Sequence, residues 1–391
     1  MVAGARGADA IIGVTGALIG ALAALAGPYA WFRPNRIVDG TAATAFEAAG
    51  PAGWLVVALW VAAGILALRA PGKLRGFAQA ACATGGLLLG LAAVGVAAAA
   101  FAETGGPVTR TSLGAAFYVS VLALYLVVYS AARSAGSPLV SAALVWLPAA
   151  GLVVLASAGL LSELGIVREW ELARTLFARE APRHLFYALG ATGGAMLLGI
   201  PAGILASRRT KTEALIMGGL SIGQVFPALA FVGIMMPLLG ALGSRVPALG
   251  AIGVSGIGWA PVYIVLLVYA LFPITRNTLV AIRQLDPAVL DSAAGMGMGR
   301  WRTLLEVELP LAFPVVLAGI RVALVQSTAG AIIAAFVGGG GLGRIVFFGL
   351  EQTSMDLVLV GVLPIVALAL VFDGILRSIE RVSGGTGAAV S

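Results

Sequence analysis

Few residues of this chain could carry covalent chemistry, and they are not grouped as a catalytic or metal site requires. His184 is the only histidine and Cys82 the only cysteine among 391 residues. One cysteine excludes an intrachain disulfide and a thiolate metal cluster, and one histidine excludes a multi-histidine metal site. A membrane-embedded enzyme would need clustered His, Asp or Glu, and a secondary transporter would need ion-coupling acids within its spans. The sequence shows neither set, so we predict a chain that binds no cofactor and performs no covalent reaction.

The segment 285–314, LDPAVLDSAAGMGMGRWRTLLEVELPLAFP, has residue types and spacing that suit contact with a partner. Asp286 can accept hydrogen bonds from free backbone donors at a helix start, and Pro287 loses nothing at the first helical position. The glycine-rich stretch 295–299 allows a sharp turn. A second short helix follows, which we expect Pro310 to end. The segment is therefore predicted to be a helical hairpin.

Composition places this hairpin in a membrane protein, because 60% of the residues are apolar and only 10% are charged. Polar stretches are no longer than roughly 35 residues, about one supersecondary unit, so a soluble catalytic domain has no room. Any ATPase or ligand-capturing domain must be a separate chain. The net charge of +7 lacks a basic patch with interleaved aromatic residues, so we predict no nucleic-acid partner. The charged hairpin must face water and a partner.

Ten apolar runs are long enough to cross a lipid bilayer, which predicts an all-α integral membrane protein. The runs are 11–30, 54–68, 77–101, 113–131, 139–161, 184–207, 214–239, 246–275, 312–337 and 357–376. We interpret the first run as an uncleaved span. The many glycines of 240–258 could instead form a re-entrant or irregular segment.

The distribution of basic residues predicts the orientation of the spans. An even number of spans puts both termini on one side, and cytoplasmic loops are enriched in Lys and Arg. Cytoplasmic termini give the inner loops more basic residues than the outer loops, with Lys73 and Lys211 both inside. We therefore predict a multi-pass membrane protein, in contact with lipid, whose termini and 285–314 hairpin are cytoplasmic.

The chain is predicted to have three parts. Residues 1–161 form a five-span N-terminal block, and residues 184–391 form a second five-span block that holds every distinctive motif. In the segment 162–183 between them, Glu residues balance Arg residues, which indicates an amphipathic helix on the outer membrane surface. His184, at the start of the second block, is interpreted as an interfacial residue.

The hairpin resembles the EAA loop of ABC-importer permeases. That loop reads Glu-Ala-Ala, three residues, Gly, nine residues, Ile, one residue, Leu-Pro, and every spacing fits here. The matching residues are Asp291, Ser292, Ala293, Gly297, Val307, Leu309 and Pro310, with Asp, Ser and Val as the departures. The resemblance implies that this helix docks in a groove of a separate ATPase subunit, which binds ATP and Mg, and transmits nucleotide-driven closure.

Residues 184–381 resemble the permease subunits of glycine betaine, choline and related osmoprotectant importers. Matching blocks include 199–203, 271–278, 285–288, 295–298, 307–311, 318–321 and 335–343. The five-span N-terminal block resembles a longer branch of the betaine permeases. The resemblance implies a type I ABC-importer permease core working with a second permease copy or paralogue, ATPase subunits and a substrate-binding protein. Methionine-type permeases share several blocks, so another small solute such as methionine is the alternative cargo.

Polar and aromatic residues of the second block are candidates for the substrate path. They are Gln224, Phe226, Trp259, Tyr263, Arg321, Gln326, Ser327 and Thr328. Aromatic faces recognise quaternary ammonium groups, although aromatic residues at span ends also serve as interface anchors. The amides and hydroxyls could line the path or bond between helices. Arg321 either pairs with carbonyls or an acid such as Asp373, or lies near the path. The glycine run 338–343 is predicted to allow close packing or a bend at the outer gate.

Overall fold

The computed structural model describes residues 2–36, 38–69, 72–106 and 108–385. The chain divides into two compact units. The first comprises Met1–Leu172 and Glu351–Asp356, and the second comprises Ala173–Leu350 and Leu357–Ser391. The first residue and residues 386–391 lie outside the described residues. The prediction of cytoplasmic termini and the C-terminal end of the predicted 184–391 domain fall on these residues.

The first unit is a bundle of apolar helices. They are α1 (Val2–Ala26), α2 (Ala45–Ala49), α3 (Gly53–Ala67), α4 (Lys73–Gly105), α5 (Ala115–Ala135) and α6 (Pro138–Ser157). Small residues let the helices approach closely: a Cβ on Gly20 of α1 would overlap the fully buried Trp60 ring of α3. Packing through small residues is typical of membrane helices. The glycines and alanines of this block therefore build its core.

A small antiparallel sheet joins the helix ends of the first unit and was not predicted. Its strands are β1 (Ala30–Arg33), β2 (Thr41–Ala43) and β3 (Arg110–Leu113), in the order β2-β1-β3. Strands of three or four residues are too short to show an alternating pattern, and two of them overlap the ends of predicted apolar runs.

The second unit contains the remaining helices. They are α7 (Gly165–Arg208), α8 (Thr210–Val225), α9 (Ala228–Arg245), α10 (Pro247–Ala251), α11 (Trp259–Arg283), α12 (Pro287–Gly295), α13 (Arg300–Thr303), α14 (Leu309–Gly330), α15 (Gly343–Glu351) and α16 (Met355–Gly385). Helix α7 enters this unit at Ala173, α15 leaves it after Leu350, and α16 enters it at Leu357. Helices α11 and α14 pack closely: a Cβ on Gly319 would lie 2.9 Å from the Pro273 carbonyl oxygen. The segment between these two helices is the predicted hairpin.

The described residues contain ten helices long and apolar enough to cross a membrane, as predicted. The predicted span 214–239 is nevertheless wrong, because it is two helices, α8 and α9. Phe226 has extended backbone angles (φ −66°, ψ 134°). The ring of Pro227 disfavours helical geometry at the residue before it, which explains the break. Of the two helices, α9 is the candidate span.

The predicted span 246–275 starts later than expected, at Trp259, and runs to Arg283. The residues before it are irregular, with Gly253 at φ +82° and Gly258 at φ +112°. Such positive φ values suit glycine. The structure therefore supports the irregular alternative only for 252–258, because most of 240–251 belongs to α9 and α10.

The segment 162–183 is not a separate helix. From Gly165 onward it is the first part of α7, which continues without a break to Arg208. Its acidic residues are partly buried: in the first unit, Glu169 is 1% exposed and accepts hydrogen bonds from Arg36 at 2.6 and 3.0 Å. The location of this segment at the outer membrane surface stays a prediction.

Candidate functional site

The first limb of the hairpin begins as its sequence predicts. The Asp286 carboxylate accepts a hydrogen bond from the Ala288 backbone N–H at 2.8 Å, and Pro287 occupies the first turn. The side chain thereby satisfies one of the backbone donors left free at a helix start. This cap fixes where α12 begins.

The first limb ends at a glycine that the turn requires. Gly297 has φ +77°, its N–H donates to the Ala294 carbonyl at 2.9 Å, and the Met298 N–H donates to the Ala293 carbonyl at 3.1 Å. These two bonds form a Schellman motif, in which the left-handed position is usually glycine. Gly297, the glycine of the EAA-like pattern, thus sets the direction in which the chain leaves α12.

Most residues of the EAA-like pattern lie at the surface of this chain. The exposed ones are Asp291, Ser292, Gly297 and Pro310, and the half-buried ones are Val307 and Leu309. Ala293 is the exception, because it is only 1% exposed. The residues of the pattern therefore lie on one hairpin, and all but Ala293 are at least partly exposed.

Several apolar side chains of the hairpin are also exposed. Met296 is 75%, Trp301 77% and Leu305 61% exposed. Their charged neighbours pair locally, as Arg302 donates to Glu306 at 3.0 Å. Several large apolar side chains exposed on one polar segment are typical of an interaction surface.

The second limb is continuous with the following span. Residues 300–330 form one helical run, in which a π turn over Leu304–Glu308 joins α13 to α14. The prediction that Pro310 ends the second helix is wrong. The Leu309 N–H bonds the Leu304 carbonyl, one residue further back than in an α-helix. The wider turn relieves the clash between the Pro310 ring and the preceding turn.

An ion pair that the sequence did not reveal holds the base of the second limb. Glu308 is 5% exposed and its carboxylate accepts a hydrogen bond from Arg208, the last residue of α7. The guanidinium of Arg208 is 45% exposed. The two residues are a hundred positions apart, so sequence spacing gives no signal for their contact. The pair joins α7 to the hairpin.

This asymmetric burial predicts unequal costs for losing either partner. Arg208→Ala leaves a buried carboxylate unpaired and should lower the free energy of unfolding by about 1–3 kcal/mol. Glu308→Gln leaves a half-exposed arginine that water can solvate, so its cost should be smaller. Thermal unfolding of both variants in detergent measures the difference. An equal or larger loss in Glu308→Gln would contradict the unequal costs expected from the burial of the carboxylate.

Two of the predicted path residues brace the break between α8 and α9. The Gln224 side-chain amide donates to the Tyr269 carbonyl at 2.9 Å, and the Tyr269 hydroxyl donates to the Phe226 carbonyl. Both bonds satisfy polar groups near a helix end that has lost regular partners. Gln224 and the Phe226 backbone are therefore tied to α11.

The predicted aromatic residues Trp259 and Tyr263 lie together, with a ring distance of 5.8 Å. Phe186 of α7, which the sequence did not single out, joins them at 6.0 Å from Trp259 and 5.6 Å from Tyr263. Phe226 is not part of this group and instead contacts Phe231 at 5.8 Å. No sequence signal marks Phe186, because its neighbours on α11 are fixed by a long-range contact: the Tyr263 hydroxyl donates to the carbonyl of Gly190, one turn after Phe186, at 2.9 Å.

Of the polar residues of α14, two are buried and one is exposed. The Thr328 hydroxyl donates to the Leu324 carbonyl at 2.7 Å, whereas the Ser327 hydroxyl finds no partner among the described residues. Gln326 is exposed. His184 is fully buried with its Nε2 3.0 Å from the Thr328 carbonyl oxygen. The interpretation of His184 as an interfacial residue is therefore wrong.

Arg321 pairs with acids, which was one of its two alternatives. Its guanidinium lies 3.6 Å from Asp373 and 3.8 Å from Glu380, both on α16. Arg377 shares Asp373 at 2.9 Å. A charge within a span must be compensated, and this pairing supplies the compensation.

A second polar cluster, centred on Glu180, holds the glycine run 338–343. Glu180 is fully buried and accepts the Gly341 N–H at 2.9 Å. Three guanidinium groups surround the same carboxylate at 3.2–3.4 Å; they belong to Arg179, Arg183 and Arg344. Gly338, Gly340 and Gly341 have positive φ, and a Cβ on Gly343 would overlap the Ile332 carbonyl. The run is thus closely packed, as predicted.

Comparison with known proteins shows the family to which this chain belongs. Residues 195–382 match the family described as binding-protein-dependent transport system inner membrane component. The carnitine transport permease protein OpuCB of Listeria monocytogenes is 36% identical over 198 residues, which cover 51% of this chain and 84% of the relative. The chain belongs to this family of ABC-importer permeases. Residues 10–167 of the permease match the N-terminal domain of the ABC transporter permease YehY.

Two further similarities each cover about half of the permease. The glycine betaine/carnitine/choline transport system permease protein OpuCB of Bacillus subtilis is 32% identical over 198 residues, covering 51% of the permease and 84% of the relative. A chain of the inward-facing MetNI methionine ABC transporter has a TM-score of 0.48 and 18% identity, covering 55% of the permease and 98% of that chain. The similarity to the MetNI chain does not indicate which solute this permease carries.

Family membership confirms the predicted class. The permease is a multi-pass membrane transport subunit with an ABC-importer core and an additional N-terminal region, and it is not an enzyme. Importers of this family depend on a binding protein, and ATP hydrolysis belongs to another subunit.

Proposed function

We propose that the permease forms the substrate path of an ATP-driven importer for quaternary-ammonium osmolytes such as glycine betaine and choline. The similarity to the OpuCB permeases carries this proposal: the Bacillus subtilis relative is named for glycine betaine, carnitine and choline. The Listeria monocytogenes relative is named for carnitine. Both similarities extend over about half of the permease, and all three compounds carry a quaternary ammonium group.

We assign the hairpin as the ATPase-docking element. Three features of its geometry support this role. Its EAA-like residues are mostly exposed, Met296, Trp301 and Leu305 present apolar surface, and Gly297 fixes the turn between the limbs. A helix with exposed apolar anchors suits a groove on a partner. The ATPase would bury these three apolar side chains, and their removal from water would contribute to the free energy of binding.

The proposed assembly contains two permeases, the second a copy or a paralogue, with two ATPase subunits that bind ATP and Mg. A substrate-binding protein delivers the osmolyte from outside. The assembly lies in the bacterial inner membrane with lipid around the spans, and both permease termini are cytoplasmic. The family's dependence on a binding protein supports the proposed substrate-binding partner, and the distribution of Lys and Arg supports the proposed orientation.

The hairpin is connected so that its movement reaches three helices. It joins α11 directly to α14, and the Arg208–Glu308 pair attaches the end of α7. In the proposed alternating-access mechanism, ATP binding closes the ATPase pair and the docked hairpins move with it. The rigid α11–α14 pair, packed at Gly319, then carries this movement into the membrane. The path changes from inward-open to outward-open and accepts substrate.

Site-specific photo-crosslinking tests the docking role. A photoreactive residue at Ser292, exposed on the hairpin, should crosslink to the ATPase subunit in membranes. The same photoreactive residue at Ser255 is the matched control and should not. Ser255 is exposed in the loop before α11, at the end of that helix opposite the hairpin, and therefore lies outside in the proposed orientation. Crosslinking from Ser255 but not from Ser292 would contradict both the docking role and the proposed orientation.

A further inference from the structure

A cavity in the second unit lies beside the glycine run. Its volume is about 540 Å³, within the range of small-molecule sites. The lining residues are Pro182, Arg183, Phe186, Tyr187, Gly258, Trp259, Gly338 and Gly339. Glycine is required at position 339 of this wall, since a Cβ there would lie only 2.5 Å from the Tyr187 hydroxyl oxygen.

The aromatic wall of this cavity is held in a fixed arrangement. Phe186 is 47% exposed, stacks on Tyr263 at an interplanar angle of 25° and meets the edge of Trp259 at 77°. The Tyr263 and Tyr187 hydroxyls donate to the backbone carbonyls of Gly190 and Gly339 at 2.9 and 2.7 Å. Aromatic faces attract quaternary ammonium groups, also at partly exposed sites. The preorganised rings therefore suit a trimethylammonium group.

The charge beside the aromatic wall is positive. Arg183 lines the cavity, and its Nη1 lies 3.3 Å from Glu180. Glu180 is shared with Arg179 and Arg344, so three cations surround one carboxylate. A guanidinium has five N–H donors, which leaves Arg183 able to bind a second carboxylate. This environment attracts an anion and disfavours a ligand that carries only positive charge.

We infer that this cavity binds small zwitterions that carry both a quaternary ammonium group and a carboxylate. The ammonium group lies against Phe186 and Trp259, and the carboxylate pairs with Arg183. This inference rests on the proposed transport of quaternary ammonium compounds and adds a selectivity within that class. The permease itself favours glycine betaine over choline, which lacks a carboxylate, independently of the selection made by the binding protein.

Arg179 provides a matched control for Arg183. Both guanidinium groups contact Glu180, at 3.2 and 3.3 Å, and both are more than half exposed, but only Arg183 lines the cavity. Arg183→Gln should lower glycine betaine uptake relative to choline uptake about tenfold, the loss expected for one charge-assisted hydrogen bond. Arg179→Gln should leave this ratio near the wild-type value. Because both uptakes are measured in the same vesicles, the ratio does not depend on the amount of folded protein.

Two further variants keep the test decisive. Arg183→Lys retains the charge and should give an intermediate ratio, which serves if Arg183→Gln does not fold. Phe186→Leu should weaken uptake of both compounds, and Phe186→Tyr should restore it. An unchanged ratio in Arg183→Gln, or an equal change in Arg179→Gln, would overturn the inference while leaving the proposed function standing. A wild-type protein that transports neither compound would overturn the proposed function and the inference together.

Discussion

Replacing Gly297 with valine is expected to abolish substrate-stimulated ATP hydrolysis and uptake while the permease remains folded in the membrane. Gly297 has φ +77° at the Schellman turn between the limbs of the hairpin. A β-branched residue at such φ costs about 1–3 kcal/mol. The chain avoids this cost by changing the turn, which redirects the limb that follows.

The local surroundings make this prediction specific. No atom of the described chain lies within 4 Å of a Cβ built at Gly297, so valine creates no internal clash. The damage must come from the altered turn and from the partner that covers it. ATP hydrolysis and uptake, measured with the reconstituted complex, should therefore fall together by at least about a hundredfold, as expected when docking geometry is lost.

Two neighbouring variants separate backbone geometry from side-chain size. Gly297→Asn should retain much of the activity because asparagine tolerates positive φ. Gly299→Val should retain activity because Gly299 has φ −70° and also has open space around it. If Gly297→Val transports normally, or if Gly299→Val is equally defective, the turn at Gly297 does not transmit the nucleotide-driven movement.

Replacing Glu180 with alanine is expected to loosen the glycine run 338–343 and to reduce uptake at least about tenfold. Glu180 is the fully buried acceptor of the Gly341 N–H. Its loss leaves a buried donor unpaired, at a cost of about 1–3 kcal/mol. It also leaves Arg179, Arg183 and Arg344 next to one another without a neutralising charge.

Hydrogen exchange provides the direct measurement for Glu180→Ala. Since about 1.4 kcal/mol corresponds to a factor of ten, the Gly341 amide should exchange about tenfold to a hundredfold faster than in the wild type. Glu171→Ala removes an exposed acid from the same helix and is the matched control. Unchanged protection of Gly341 in Glu180→Ala would show that the carboxylate does not hold the run.

Local features of the hairpin could be predicted from the sequence because their physical causes are local. The Asp286 cap and the turn at Gly297 depend only on a few adjacent residues. The end of the second limb was predicted wrongly, since a proline normally stops a helix. The structure instead inserts a π turn before Pro310, and no composition signal marks such a turn.

Long-range contacts account for most of what the sequence could not predict. Glu308 meets Arg208, and Glu180 meets the backbone of Gly341, across separations that have no helical periodicity. The span 214–239 shows a different difficulty: hydropathy averaged over a window hides the single residue, Pro227, that divides α8 from α9. The predicted path residues share only their polar or aromatic residue type, and the structure distributes them among separate groups.

Of the three aromatic candidates for the substrate path, the structure brings two together and leaves the third apart. Trp259 and Tyr263 were expected to be available for a quaternary ammonium group, and the structure brings them together with Phe186. Phe226 had the same expected role but lies with Phe231 at the start of α9. Residue type identified the chemistry, whereas only the packing of α7 against α11 showed which rings share a cavity.

Uptake of radiolabelled glycine betaine into proteoliposomes tests the central claim most directly. The vesicles contain the permease and its ATPase subunits, with ATP enclosed and the substrate-binding protein outside. The proposed function predicts accumulation that requires hydrolysable ATP and the ATPase, and that excess carnitine, but not methionine, competes away. Accumulation without the ATPase, accumulation driven by an ion gradient alone, or competition by methionine but not by carnitine would contradict it.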